Sequence, residues 1–226
     1  MDIRYLGHST FELSDGTARV LVDPFLAPNN PKAPVTADDV DPTHILVTHA
    51  HVDHLADAAT VAKRTGAPTV ALVETAVWLG HQGVENVSDP NLGGTVTFDW
   101  GWVKLVQALH SSTTPDGRVT YASGLVINIG GTTVYHLGDT CLFGDLRLIA
   151  ERTPVDVALI PIGGHYTMDR HDAVVAAEMI GASTVIPCHY NTFPPIETDA
   201  DAFKGEVESK TGSKVVVMNP GDSQSF

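Results

Sequence analysis

Alternating apolar and polar positions at the start of the chain predict an antiparallel sheet. Short runs at Ile3–Leu6, Thr10–Leu13 and Ala18–Val22 have the composition and period of strands, and Asp15-Gly16 has the form of a hairpin turn. Residues 24–42 contain five prolines and show little periodicity, which predicts an irregular loop. Such a loop either borders a binding site or only covers the sheet, and the pattern leaves both interpretations open.

The next segment has the pattern of a strand, a helix and a second strand. Apolar Ile45-Leu46-Val47 predicts a buried strand that ends at Thr48, and Leu55–Arg64 has the spacing of a helix. Gly66-Ala67-Pro68 is a helix-stop signal, and a buried strand is predicted at Thr69–Val73. This order is the unit from which parallel sheets are built.

The rest of the chain predicts a second run of strands followed by alternating helices and strands. The further predicted strands are Thr95–Phe98, Val103–Leu109, Val119–Ile129, Thr132–Leu137, Val157–Ile162, Thr184–Pro187 and Lys214–Met218. The further predicted helices are Glu74–Leu79, Leu142–Glu151, Ala173–Ile180 and Ala200–Lys210. We therefore expect an α/β fold in one domain over residues 1–226.

Charge and composition narrow the range of partners. The chain has 27 acidic and 13 basic residues, and its net charge of −14 repels phosphate backbones and anionic membranes. No apolar run has the ~20 residues of a membrane helix, the first residues lack a signal-peptide pattern, and two cysteines are too few for a disulfide framework. We expect a cytoplasmic protein with a small-molecule substrate and neither nucleic acid nor membrane as partner, and we leave homo-oligomer formation open.

The strongest chemical signal is the segment Thr48-His49-Ala50-His51-Val52-Asp53-His54. Three imidazoles and a carboxylate at this density are the donor types of a metal site. His49 and His51 would point the same way from a loop, whereas Asp53 and His54 would open the following helix and face another direction. Two donor pairs with different directions fit two ions better than one. The alternative, scattered surface histidines, fits this spacing poorly.

Other candidate ligands lie just past predicted strands. His110, Asp139 and His189 each follow one, and ligands gather at the carboxyl ends of strands in mixed α/β sheets. Gly7-His8-Ser9 interrupts the first strand pair, where a glycine lets the backbone pass close to a ligand. His8 is therefore either a structural histidine or part of the site.

With these residues, the sequence resembles the metallo-β-lactamase superfamily, whose hallmark is His-x-His-x-Asp-His followed by a lone His, a lone Asp and a last His. The matching residues are His49-Ala50-His51-Val52-Asp53-His54, His110, Asp139 and His189. Four further segments resemble the small metal-dependent hydrolases related to ascorbate-6-phosphate lactonases, namely Tyr5–Phe11, His110-Ser111-Ser112, Gly138-Asp139-Thr140 and Gly163–Met168. The resemblance implies a four-layer αββα sandwich with two metal ions at one edge.

The resemblance also implies a role for each ligand. His49, His51 and His110 would bind the first ion, Asp53, His54 and His189 the second, and Asp139 would bridge them. Zinc is the expected metal, with manganese, nickel or iron as alternatives. In the implied activity, a hydroxide that bridges the ions attacks an ester, lactone or phosphoester bond of a small metabolite. Asp53 would orient this hydroxide or carry its proton.

Several residues outside the ligand set have two interpretations. His165 follows the strand Val157–Ile162 and would either donate a proton or contact the substrate as a catalytic residue, or make a structural hydrogen bond. Tyr166 and His8 are further candidates for substrate contact. The remaining histidines and both cysteines are expected to be structural or solvent-facing, namely His44, His81, His136, His171, Cys141 and Cys188.

Three other functions compete with hydrolysis. An iron-dependent redox enzyme of the persulfide dioxygenase type keeps the same histidine pattern, whereas a flavodiiron-type site has Glu where this chain has His51. A non-enzymatic metal-binding module is the second alternative, although every ligand position is filled. A nuclease is disfavoured by the acidic charge balance.

Overall fold

The computed structural model describes residues 1–226 and contains two seven-stranded sheets. The strands of the first sheet are β1 (Asp2–Gly7), β2 (Thr10–Ser14), β3 (Arg19–Val22), β4 (His44–Leu46), β5 (Thr69–Val70), β6 (Val87–Ser88) and β14 (Ser223–Ser225). The strands of the second are β7 (Thr95–Phe98), β8 (Gly101–Gln107), β9 (Ser123–Ile129), β10 (Thr132–His136), β11 (Val157–Pro161), β12 (Thr184–Cys188) and β13 (Lys214–Val215). The strand orders are β14-β1-β2-β3-β4-β5-β6 and β13-β12-β11-β10-β9-β8-β7.

Six α-helices cover the outer faces of the two sheets. They are α1 (Val52–Leu55), α2 (Ala58–Thr65), α3 (Val73–His81), α4 (Leu146–Arg152), α5 (Arg170–Ile180) and α6 (Ala200–Lys210), with a 3₁₀ turn at Pro194–Ile196. Val61 of α2 and Leu79 of α3 share a buried cluster with Ile45 of β4. Phe203 of α6 shares another with Val185 of β12. None of the helices has the length and apolar character of a membrane span.

The inner faces of the two sheets pack against each other. Strand β9 illustrates the pattern, because Leu125 and Ile127 belong to the cluster between the sheets and Val126 belongs to the cluster under the helices. Side chains alternate between the two sides of a sheet, so one face of β9 packs between the sheets and the other packs under the helices. Both faces are apolar because both are buried. Each fully buried side chain of this size contributes about 1.5–3 kcal/mol to folding. The layers are helix, sheet, sheet and helix, so the predicted αββα sandwich is confirmed.

The carboxyl ends of the parallel strands meet at one edge of the sandwich. Strands β3 to β6 pair in parallel in one sheet, and β10 to β13 do so in the other. Backbone bonds connect the sheets at this edge: the N–H of Ser123 donates to the carbonyl of Thr48 at 3.0 Å, and the N–H of His189 donates to that of His8 at 2.7 Å. Segments that follow different strands are thereby held together.

Two predicted elements differ from the observed ones for tertiary reasons. The predicted helix Leu55–Arg64 is divided into α1 and α2, because the N–H of Asp57 donates to the carbonyl of Pro24 and its carboxylate accepts from Leu26. The predicted strand Val119–Ile129 begins only at Ser123. The residues before it form a small hairpin with the segment after His110, in which the N–H of Thr120 donates to the carbonyl of Ser112.

Candidate metal centre

Three histidines that the sequence predicts to share an ion lie together. His49 Nε2 is 3.1 Å from His51 Nδ1, and His110 Nε2 is 3.3 Å from the same nitrogen. His49 and His51 lie on the loop between β4 and α1, and His110 lies on the loop after β8. Loops that follow strands of the two different sheets thus present three nitrogens within 4.8 Å of one another. This spacing fits one ion bound by three imidazoles.

A second group of donors lies beside the first. It contains Asp53 and His54 of α1, His189 after β12, and His8 of the turn between β1 and β2, whose donor atoms also lie within 4.8 Å of one another. The nearest oxygen of Asp53 is 3.7 Å from His189 Nε2. The three residues predicted to bind the second ion are therefore adjacent, and His8 is a fourth member.

Asp139 lies between the two groups. One oxygen, Oδ2, is 3.1 Å from His189 Nε2, 3.5 Å from His110 Nε2 and 3.8 Å from His49 Nε2. The other oxygen, Oδ1, is 3.3 Å from His54 Nε2. A carboxylate in contact with histidines of both groups is in the position required of a bridging ligand.

Unpartnered polar atoms provide a test of whether these residues fit metal ions. His54 Nε2, His189 Nε2 and Asp139 Oδ1 are buried and have no hydrogen-bond partner. Buried polar atoms without partners are rare in folded proteins because their desolvation is not compensated. Imidazole and carboxylate are also the donors that zinc and related ions prefer. The residues therefore fit a metal centre.

A hydrogen-bond network behind the donors orients two of the imidazoles. Asp23 accepts from Nδ1 of His54 and from the hydroxyl of Thr48, both at 2.7 Å. Because this hydroxyl donates to Asp23, its contact of 3.0 Å with Nδ1 of His49 makes that nitrogen the donor. Both rings are then protonated on Nδ1, which leaves Nε2 as the coordinating atom of each.

Mutual charges shift the pKa values of the central residues. Burial lowers the pKa of His189, but the carboxylates of Asp139 and Asp53 outweigh it and raise this pKa to about 9. For His54, burial is likewise outweighed by Asp139 and Asp23, and the pKa is raised well above its usual value. Burial opposes ionisation of Asp139, but His189 and His54 hold its pKa well below the usual range. Without an ion, these pKa directions favour imidazolium forms of His54 and His189 beside the carboxylate of Asp139.

The first group of histidines is electrically different. Burial lowers the pKa of His49, His51 and His110, although Asp139 partly opposes the effect at each. These imidazoles are therefore neutral at pH 7, which is the form that binds a metal.

His8 is fully buried behind Asp53, and this position differs from the predicted contact with substrate. Its Nε2 is 3.0 Å from Oδ2 of Asp53, and its Nδ1 is 2.9 Å from the hydroxyl of Thr192. Burial and the neighbouring His189 lower the pKa of His8 to about 4, so the ring is neutral. Nε2 donates to Asp53 and Nδ1 accepts from Thr192, so His8 holds Asp53 in place and does not line the cavity where a substrate would bind.

A cavity of about 630 Å³ opens above the donors. Asp53, Asp139 and His189 form part of its lining, together with Tyr166, which is 55% exposed. His165 is exposed, packs edge-on against Tyr166 and is not among the lining residues. Its predicted catalytic role stays a prediction.

The predicted Pro-rich loop borders this cavity. Phe25 and Asn29, which lie early in the loop, are both among the lining residues. Asn29 donates from its amide group to Asp57 at 2.9 Å, which ties the loop to the start of α2. Of the two interpretations of residues 24–42, the one that places the loop beside the site is therefore favoured.

The residues expected to be structural lie outside the donor groups. His136 is buried and bonds the carbonyl of Ser9 and the N–H of Gly138, and His44 accepts from the indole of Trp100. Cys188 is buried and Cys141 exposed, and neither is part of a donor group.

Asp23 is the site residue that sequence reasoning missed. It follows β3 at the same edge as the predicted ligands and is fully buried, with φ of 48°. The rule that identified Asp139, a carboxylate just past a predicted strand, also applies to Asp23. The following proline obscured it, because Asp-Pro is also typical of a loop start.

Comparison with known proteins identifies the family of this chain. The sequence profile of the beta-lactamase superfamily domain matches residues 2–189. A UPF0173 metal-dependent hydrolase from Symbiobacterium thermophilum is 45% identical over 226 residues, which cover 99% of each chain. A UPF0173 metal-dependent hydrolase from Thermus thermophilus is 44% identical over 225 residues, 98% of this chain and 97% of the relative.

A solved structure agrees in fold over the whole chain. Igni18, a metallo hydrolase from the archaeon Ignicoccus hospitalis, superimposes with a TM-score of 0.88 at 37% identity, covering 100% of this chain and 98% of Igni18. The resemblance noted from the sequence is thus confirmed, and the chain belongs to the beta-lactamase superfamily and, within it, to the UPF0173 metal-dependent hydrolases.

Proposed function

We propose that this protein is a two-metal hydrolase that cleaves an ester, lactone or phosphoester bond of a small metabolite. The observation that carries the proposal is the position of Asp139, whose oxygens contact histidines of both donor groups. His49, His51 and His110 would hold one ion, and Asp53, His54 and His189 the other. Zinc fits this set of nitrogen and oxygen donors.

Bound ions would supply Lewis acidity that lowers the pKa of a water molecule towards ~7 and polarises the substrate oxygen. The chain itself supplies charge balance and orientation. Asp53 and Asp139 are the only carboxylates of the donor groups, and they offset part of the positive charge of two divalent ions. An ion held by the neutral imidazoles of the first group would be the stronger Lewis acid of the two.

Asp53 is the residue best placed to handle a proton. It is part of the cavity lining, and burial alone would raise its pKa, but the nearby His189 and the hydrogen bond from His8 bring this pKa far below its usual range. Its contacts with both histidines use Oδ2. Oδ1 is therefore free to accept a hydrogen bond from an attacking water and to orient it towards the substrate.

Metal analysis combined with an activity screen tests the proposal. Protein purified without added metal should contain about two divalent ions per chain and should hydrolyse members of a panel of lactones, esters, thioesters and phosphodiesters. Chelation should abolish the activity, and zinc should restore it. His51→Ala and Asp139→Ala should lose both metal and activity, whereas Asp145→Asn, at an exposed position outside the site, should retain both.

Three results would contradict the proposal. One tightly held iron per chain, with oxygen uptake on persulfide, would favour the redox alternative. Full metal occupancy without turnover of any substrate in the panel would favour a binding module. Full activity of Asp139→Ala would remove the two-metal assignment itself.

A further inference from the structure

Much of the cavity above the donor residues is lined by apolar side chains. Phe25, Val52, Phe193 and Pro195 contribute to this surface, and Tyr166 adds a third aromatic ring. The rings of Phe25 and Phe193 lie 6.4 Å apart. A surface of this kind favours ligands that can cover it with an apolar group, because such contact removes both surfaces from water.

The two phenylalanines are held in place by backbone hydrogen bonds. The N–H of Phe25 donates to the hydroxyl of Thr10 at 3.2 Å, and its carbonyl accepts from the side chain of Asn30 at 3.0 Å. The carbonyl of Phe193 accepts from the N–H of Ile196 at 3.0 Å. The apolar surface is thus preformed, and little conformational entropy is lost when a ligand covers it.

Outside the donor residues, the polar part of the lining offers no cationic side chain. Apart from the donor residues, its polar side chains are Asn29, Ser111 and Tyr166, and lysine and arginine are absent from the lining. One amide N–H of Asn29 donates to Asp57, which leaves one N–H and the oxygen of this side chain. Lys32 lines a separate cavity of about 180 Å³. Tight recognition of a phosphate or carboxylate substituent typically uses arginine or lysine, and this lining contains neither.

We infer that the substrate is an uncharged ester or lactone with an apolar chain, and that the site selects it over phosphorylated and carboxylated analogues. This inference rests on the proposed function and narrows it. The carbonyl lies over the donor residues, while the chain covers Phe25 and Phe193. The oxygen of water bonds to the carbonyl carbon and the carbon–oxygen bond to the alcohol breaks. One water proton goes to the alcohol oxygen, and the other is released as the acid ionises.

A series of 4-nitrophenyl esters tests the inference on the zinc-loaded protein. We expect kcat/KM to rise by about two- to fourfold per methylene from acetate to butyrate to hexanoate, since each buried methylene contributes about that factor. The mono-4-nitrophenyl ester of succinic acid has nearly the chain length of the butyrate ester but carries a carboxylate. We expect its kcat/KM to be lower by a factor of about ten or more. Bis(4-nitrophenyl) phosphate should be a poorer substrate than the butyrate ester.

Variants of Phe193 test whether the preference for longer acyl chains depends on the cavity lining. Phe193→Ala should flatten the dependence on chain length, because it removes the ring that the longer esters cover. Phe193→Leu, which keeps an apolar side chain, should retain most of that dependence. Leu148→Ala is the control, since Leu148 is 54% exposed on α4 and lies outside the cavity lining. It should leave the whole ester series unchanged.

The outcomes separate this inference from the proposed function. Metal-dependent hydrolysis that is indifferent to chain length, or faster for the succinate ester or the phosphodiester, would overturn the inference and leave the proposed function standing. A chain-length dependence that Phe193→Ala and Leu148→Ala alter equally would also overturn it. No metal-dependent turnover of any ester or of the phosphodiester would overturn both.

Discussion

The carboxylate of Asp23 lies 2.7 Å from Nδ1 of His54, and both side chains are fully buried. The same carboxylate accepts from the N–H and the hydroxyl of Thr48, so it has three donors from the segment that carries the metal ligands. It therefore holds His54 in one tautomer, with Nε2 directed at Asp139. Through Thr48 it also fixes the tautomer of His49, and one carboxylate orients a ligand in each donor group.

Asp23→Asn should weaken binding of the second metal ion. An amide at this position can donate to Nδ1 of His54, which would move the ring proton to Nε2, the atom that must coordinate. Replacement of such orienting carboxylates typically costs 10–100-fold in metal affinity, and we expect a loss of about this size. Competition titrations with a chromophoric chelator measure it. Asp41→Asn is the matched control, because Asp41 is exposed and pairs only with Arg19; equal affinities in the two variants would contradict the role of Asp23.

Thr48→Val should be more harmful than Thr48→Ser. Valine has the shape of threonine but lacks the hydroxyl, so Nδ1 of His49 loses its acceptor and Asp23 loses a donor. An unsatisfied buried group costs about 1–3 kcal/mol, and we expect the valine variant to lose this much stability and to bind metal less tightly. Serine keeps the hydroxyl. Urea unfolding and metal titration of both variants provide the comparison, and equal stability and metal affinity of the two variants would contradict the role of the hydroxyl.

Metal binding at pH 7 should release protons. In the metal-free protein His189 has a pKa of about 9 and that of His54 is raised well above its usual value, so both rings are charged at this pH. Coordination requires neutral imidazole, and up to about two protons per chain should therefore leave when both ions bind. Calorimetric titrations in buffers of different ionisation enthalpy count them. The number of protons released per chain should fall as the pH approaches 9. Release of almost no protons at pH 7 would contradict the raised pKa values of His54 and His189.

The stability of the metal-free protein should decrease between about pH 6.5 and pH 9. Raised pKa values mean that His54 and His189 keep protons in the folded state that they lose in the unfolded state over this interval. Stability then falls with increasing pH by up to about 1.4 kcal/mol per pH unit for each such proton. The metal-loaded protein, whose histidines are neutral, should not show this decline. Denaturant titrations at pH 6.5, 7.5 and 8.5, with and without chelator, distinguish the two forms.

Local sequence signals were sufficient to predict an α/β fold and the position of the ligand residues at strand ends, whereas the four layers were implied by the family resemblance. Periodicity and donor chemistry are properties of short segments, and His49, His51, Asp53, Asp139 and His189 all follow strands whose ends the apolar pattern marks. Because parallel strands end at the same edge, strand order was not needed to expect these residues to meet. Their convergence agrees with that expectation.

Contacts between residues far apart in the sequence could not be predicted from local patterns. The bond between His8 and Asp53 joins residues 45 positions apart, and nothing in either local pattern indicates it. The break between α1 and α2 depends on hydrogen bonds from Asp57 to a loop that has no periodicity of its own. The orientation of His49 and His54 depends on Asp23, whose partners become adjacent only after the sheet has formed.

Gly163→Ala should damage the second donor group without touching a ligand. A Cβ at this position would lie 2.3 Å from the carbonyl oxygen of His189 and 2.8 Å from Cβ of Ile196, so the chain after β12 would have to move. We expect a loss of about 1–3 kcal/mol in stability, together with weaker binding of the ion that His189 would hold. Gly205→Ala is the control, because nothing lies within 4 Å of a Cβ there. Alanine favours the helix at that site and should stabilise α6 by about 0.5–1 kcal/mol. Thermal unfolding and metal titration measure both variants, and a Gly163→Ala protein with wild-type affinity would show that the position of His189 does not depend on this close approach.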